Sequence, residues 1–243
     1  MVLFLFTVSR SMKKTTIVAL LMVTLLPLAS YLFVSSLSKD AIKMPRRYFY
    51  DTVVLKQEKG KYVNDTVWHK VKPFKLKNQF GKEVGLEDWK GKIIIADFFF
   101  TSCPSICPKL TRNMKKLQTA FKKTDSLVRF VSFTVDPVRD SVQALKAYGD
   151  KFGIDHDTWF MLTGDRNQLY DLALNEFKAS IASNGNIDTG FIHTDRFFLL
   201  DRDRVVRGWY NGLDSTNLDK LIKDVVLLNM ERDKKKKRNL FRK

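Results

Sequence analysis

Cysteine and histidine are scarce: 243 residues contain two cysteines and three histidines. A disulfide-dense scaffold is therefore excluded, and so is a four-ligand structural zinc site, because no second close pair of soft donors exists. Proline is also rare, at positions 27, 45, 73, 104, 108 and 137, which leaves the second half of the domain 68–230 without any. Acidic residues are outnumbered 26 to 43, for a formal charge of +17. Much of that excess lies in "ERDKKKKRNLFRK", residues 231–243, and around the amino-terminal apolar segment. The tail has no stacking aromatic beyond Phe241 and reads as a solvated, mobile end, with contact to anionic lipid or an acidic partner as the sharper alternative. No nucleic-acid partner is expected.

Long apolar runs are missing except for one, "IVALLMVTLLPLASYLFV" from Ile17 to Val34, preceded by Arg10, Lys13 and Lys14. Eighteen uncharged residues are just enough to cross a bilayer. The run reads as a single-pass anchor, with a cleaved secretory signal beginning at Met12 as the competitor. Lys39, Lys43, Arg46 and Arg47 follow it, so the distribution of positive charge does not set orientation. A signal-like amino terminus favours a domain outside the cytoplasm.

The chain divides into a basic segment 1–14, an anchor 15–36, a polar tether 37–67, one domain 68–230 and the basic tail 231–243. Within the domain, "FKLKNQFGKEVGLEDWKGK" alternates and turns at Asn78–Gly81, and "IIIADFFF" has the continuous apolar character of a strand buried on both faces. Leu110, Met114, Leu117 and Phe121 follow at helical spacing behind Pro108. "LVRFVSFTVD" is a second core strand; then come a helix capped by Asp140 or Ser141, the strand "TWFML", and a helix capped by Asp165. A hairpin, "DRFFLLD" and "RVVRGWY", precedes a last helix with Leu218, Leu221, Ile222, Val225 and Leu228 on one face. This order predicts an α/β fold of thioredoxin-like type, a central mixed sheet flanked by helices behind an amino-terminal transmembrane anchor.

The two cysteines stand in "TSCPSICPKL", where the first central strand meets its helix. As a staple they would close too small a loop to stabilise much. As a redox couple at a helix start they would carry acidified thiols, although redox catalysts of this fold normally place two residues between the cysteines and here there are three. Three intervening residues put Cys103 and Cys107 one helical turn apart, so both sulfurs can point at a common object, and thiolates select copper(I) or accept copper(II) beside nitrogen. Thioredoxin-type catalysts carry a cis-proline facing their cysteines; at that place this chain has "GFIHTDRFFLLD", which offers His193 instead. Cys103, Cys107 and His193 thus form a candidate three-ligand copper site. His69 and His156 lack such placement and read as structural or exposed.

"GKIIIADFFFTSCPSICP", "FVSFTVDPVRDS" and "FIHTDRFFLLD" resemble, in order and spacing, the cysteine, Asp-Pro and histidine blocks of the Sco (SenC) family of membrane-anchored, thioredoxin-like copper proteins. The resemblance covers residues 68–230 and implies that Cys103, Cys107 and His193 bind one copper ion, Cu(I) or Cu(II). It implies a metallochaperone that delivers copper to, or prepares the thiols of, the dinuclear copper site of a respiratory haem-copper oxidase. Its implied partners are the oxidase subunit carrying that site and another copper chaperone or a thiol reductant. The implied location is the bacterial inner membrane, with the domain on the periplasmic or extracytoplasmic side. Asp136 and Asp140 match the acidic positions of the Asp-Pro block, with an outer-shell or partner-contact role set against a loop cap and a helix N-cap. Val138, where glutamate is common, and Ser105, often acidic, depart from the pattern. The alternative function is an extracytoplasmic thiol–disulfide oxidoreductase, which needs the thiols but not His193. A peroxidase is disfavoured, because Thr101 stands only two residues before Cys103 and no activating arginine is apparent by spacing.

Overall fold

The computed structural model describes residues 14–38, 44–58, 60–124, 126–179 and 194–240, in two compact units, 1–43 and 44–243. The first unit carries helix α1, Lys14–Ser38, whose 25 residues include Pro27. At 1.5 Å per residue the helix is about 37 Å long, more than a bilayer's hydrocarbon thickness. Its apolar window Val18–Ser35 has no buried residues within the unit. The hydroxyls of Thr24 and Ser30 return to carbonyls one turn back, so these polar groups need no partner outside the helix.

The second unit opens with an antiparallel hairpin, β1 (Tyr50–Glu58) and β2 (Lys61–Trp68). Sequence reading placed no element here, because charged and apolar residues occur on both faces of an exposed ribbon and leave no period to read. The remaining strands form one sheet: β3 (Lys75–Asn78), β4 (Glu83–Gly85), β5 (Ile93–Phe99), β6 (Val128–Thr134), β7 (Trp159–Thr163), β8 (Arg196–Leu200) and β9 (Val206–Asn211), in the order β4-β3-β7-β6-β5-β8-β9. The central β7, β6 and β5 run parallel, and the outer strands are antiparallel to their neighbours. This is the mixed, helix-flanked sheet expected from the sequence.

Helices cover both faces, so β5 is buried along its whole length. Ile93, Ile95 and Phe99 pack beneath α2 (Cys107–Ala120), α3 (Val142–Phe152) and α5 (Ser215–Leu240), through Leu110, Met114, Leu117, Leu145, Leu221 and Val225. Ile94, Ala96 and Phe98 face the opposite core, which α4 (Arg166–Asp171) and the π-turn after it close with Leu169, Leu172 and Phe177. The short elements obey local chemistry. Ser141 and Asp165 cap α3 and α4 by accepting from Ala144 and Gln168, and Gly153 ends α3 in the left-handed conformation. Helix α5 continues without a break to Leu240, so the first part of the segment read as a mobile tail is helical.

Candidate functional site

β5 and β6 end side by side, and the chain leaves β5 in a loop, residues 100–106, before entering α2. Here the structure corrects the sequence expectation: α2 begins at Cys107, with Ile106 as its cap, so the two cysteines do not share a helical turn. Cys103 sits in the preceding turn, its amide donating to the carbonyl of Phe100 at 3.3 Å. The turn folds back and brings the two thiols into hydrogen-bonding contact all the same. Neither takes part in a disulfide, and they are 5% and 2% exposed.

The thiols lie in apolar surroundings that include Phe99, Leu110, Met114 and Tyr148, with Phe100 and Ile106 at the edge. The Cys103 sulfur also lies 3.7 Å from the Ser105 hydroxyl. Burial pushes the Cys107 thiol far up from its ordinary value, and the neighbouring Cys103 adds to the rise. Acidification by the helix start was the expectation; desolvation outweighs it, because a helix terminus contributes a partial charge while burial removes the whole hydration of a thiolate. A thiolate pair in this pocket therefore needs a cation beside it.

Asp140 shapes the loop. It is fully buried, and its carboxylate accepts from the Thr101 amide at 3.1 Å and from the hydroxyls of Thr101 and Thr134, each at 2.5 Å. The residues just before Cys103 are thus bound to the end of β6. The N-cap role considered for Asp140 falls to Ser141. Asp136 receives an amide bond at its own carbonyl from Arg139 and from Asp140, and its carboxylate lies 3.7 Å from the exposed Arg139. One oxygen of that carboxylate is buried without a hydrogen-bond partner among the described residues.

Asp97 is a member of the site that sequence reading overlooked. The one acid in "IIIADFFF", it follows the alternation of β5 onto the face beneath α2, opposite Ser132 on β6. It is 2% exposed, and one oxygen has no hydrogen-bond partner among the described residues. Burial raises its pKa to about 7, with the Ser132 hydrogen bond opposing the rise. Its charge acts on both Cys107 and Tyr148. Tyr148 in turn bonds to Thr111 at 3.0 Å, and Thr111 to the carbonyl of Cys107 at 2.9 Å. The signal was available: a carboxylate in a run of seven buried strand residues demands a reason.

His193 lies outside the described residues. Thr194, next in sequence, is buried and leads into β8, which enters the sheet at the end where β5 leaves it, since Ala96 pairs with Phe198. Among the described residues no three His, Cys, Asp or Glu side chains are grouped to hold a metal ion. His69 is 2.7 Å from Asp51 and 3.3 Å from Glu176, and His156 is 2.9 Å from Asp150 and 3.0 Å from Gln79, so both serve the frame of the domain.

A family model described as SCO1/SenC matches residues 65–227. The SCO1 protein homolog of Bacillus subtilis is 38% identical over 167 residues, covering 68% of this chain and 86% of its own. Among solved structures, BsSco, described with a disulfide switch and as a member of the Sco family of cytochrome c oxidase assembly proteins, is 38% identical with a TM-score of 0.57, covering 66% of this chain and 94% of its own. Yeast Sco1 with copper bound is 25% identical with a TM-score of 0.51, covering 65% of this chain and 88% of its own.

Proposed function

The chain belongs to the SCO1/SenC family, and on that premise we propose that it is a copper metallochaperone serving assembly of a respiratory haem-copper oxidase. The observation that carries this reading is the pair of thiols, not joined in a disulfide, held in contact at the head of α2, in a pocket that disfavours thiolates unless a cation accompanies them. Copper is the cargo. Cys103 and Cys107 hold it as thiolates, and His193, the residue before Thr194, completes a soft three-donor set suited to Cu(I) or, with a further ligand, Cu(II). Copper bound to a relative in the same fold, yeast Sco1, supports the assignment.

Transfer proceeds by ligand exchange, in which thiolates of the acceptor replace Cys103, Cys107 and His193 stepwise. The acceptor is the copper-site subunit of the oxidase, and the donor is another copper chaperone. Because both sulfurs are buried, the loop of residues 100–106 has to open for exchange. Domain and tether lie on the extracytoplasmic side of the bacterial inner membrane, with α1 as a single-pass anchor. Asp140 acts here as the residue that positions the cysteine loop.

The contact between the thiols also favours a second reading, a thiol–disulfide oxidoreductase. Joining the two sulfurs gives up two protons and two electrons to a client disulfide or other oxidant, and removes both copper donors at once. The disulfide switch described for BsSco fits this chemistry. Titration of the reduced full chain with copper(I) against a competing chelator tests the main reading. One tight equivalent is expected, lost in Cys103→Ser and in Cys107→Ser, with His193→Ala weakening copper(II) more than copper(I). Unchanged affinity in all three variants refutes the copper site; negligible binding by the parent, with turnover of a disulfide substrate by His193→Ala, selects the oxidoreductase.

A further inference from the structure

The thiols occupy one end of the sheet, and two basic segments, the tether and the carboxy-terminal tail, meet at the other. Asp201 and Arg207 lie at the end of the β8–β9 pair beside Ile94, where β5 begins, because Ile94 pairs with Leu200 and Leu200 with Val206. Arg207, 5% exposed, donates to the carbonyl of Pro45 at 2.6 Å and pairs with Asp201 at 2.9 Å and Glu231 at 3.0 Å. Phe49 and Tyr48 pack on Trp209 and hold the same segment down. On α5, Arg202 reaches Leu228 and Asn229 while also bonding to the carbonyl of Gly91, just ahead of β5.

One buried guanidinium therefore binds both the point where the tether joins the domain and the point where the basic tail begins. Beyond Glu231 the tail carries Arg232, Lys234–Lys237, Arg238, Arg242 and Lys243 against the single acid Asp233. The tether contributes Lys39, Lys43, Arg46 and Arg47 against Asp40. Pro45 is seven residues beyond Ser38, the last residue of α1; seven residues reach at most about 25 Å.

We infer that this end of the domain docks on anionic lipid headgroups of the membrane that holds α1, through the basic stretch of α5 from Arg232 to Arg238 and through Arg46 and Arg47 of the tether. The inference rests on the anchor proposed above. Polybasic segments beside a bilayer gain from each added charge, and the gain decays within a Debye length. Docking in this way turns the thiol end outward, toward acceptors away from the membrane. The seven residues of β5 set the two ends apart, by about 20 Å at 3.3 Å per residue.

Lysine footprinting with a sulfonated acetylating ester tests this on the full chain in vesicles, either pure phosphatidylcholine or one-third phosphatidylglycerol. Acetylation of Lys234–Lys237, read by mass spectrometry, is expected to slow at least fivefold in the anionic vesicles. The protection should vanish at about 0.5 M salt, where screening is nearly complete. Lys109, exposed beside the thiols, is the internal reference and should label equally in both. Equal labelling of the tail in both vesicles overturns the inference, and so does protection that extends to Lys109. Alkaline carbonate extraction separates the anchor from the docking: release of the chain refutes the anchor, while salt-sensitive protection of the tail on anionic vesicles still supports the lipid contact.

Discussion

Replacing Asp97 by asparagine removes a charge that the fold buries at a cost and leaves the shape of the side chain and its place opposite Ser132 intact. In the wild type, burial raises the carboxyl from its ordinary 3.8 to about 7. A proton is then bound more tightly in the folded state than in the unfolded one, so the associated stability is present in full below the unfolded value and drains away as pH climbs to the folded one. A shift of about 3 units at 1.36 kcal/mol each amounts to about 4 kcal/mol lost between pH 4 and 7, with no further loss above. Asp97→Asn lacks this slope. The stability of the variant relative to wild type should therefore rise by about 4 kcal/mol across that window, which at a slope of about 2 kcal/mol per molar urea moves the relative midpoint by about 2 M. Urea titrations of the full chain in detergent, followed by tryptophan fluorescence at unit steps of pH, read it directly. Midpoints that run parallel from pH 4 to 8 would show that Asp97 ionises without penalty, and the account of a desolvated carboxylate beneath the thiols would be wrong.

Two further substitutions probe the frame of the site. Asp140→Ala strips three donors of their buried acceptor and should cost about 3 kcal/mol; it should also speed reaction of Cys103 with a thiol reagent, and an unchanged melting temperature would remove its role as the loop clamp. Gly85→Ala places a Cβ 2.1 Å from the carbonyl oxygen of Phe74, a backbone atom that cannot turn aside; a loss of about 2 kcal/mol from the splayed β3–β4 pair is expected in chemical denaturation, and wild-type stability would contradict the close approach.

The alternating strands and helices from Ile93 to Leu228 were legible because each buries a face whose period is written in its residues, two for a strand and 3.6 for a helix. Ser141 and Asp165 marked helix starts by chemistry that acts within a few residues. The cysteine pair and its seat at the head of α2 were legible for the same reason. Sequence could not show that Cys103 stands off the helix, nor that the pair is buried, since both follow from Asp140 drawing Thr101 against β6 from 39 residues away. The hairpin β1–β2 was illegible because an exposed ribbon is under no pressure to segregate its faces. Asp97 was visible as a letter but not as a neighbour of Cys107, a relation created when α2 crosses β5. The meeting of tether and tail at Arg207 depends on a hydrogen bond from Arg207 to Pro45, 162 residues away. Local periodicity determines the elements; the charges and thiols that share a site are decided by which ends of the sheet the chain returns to, and only the tertiary fold holds that information.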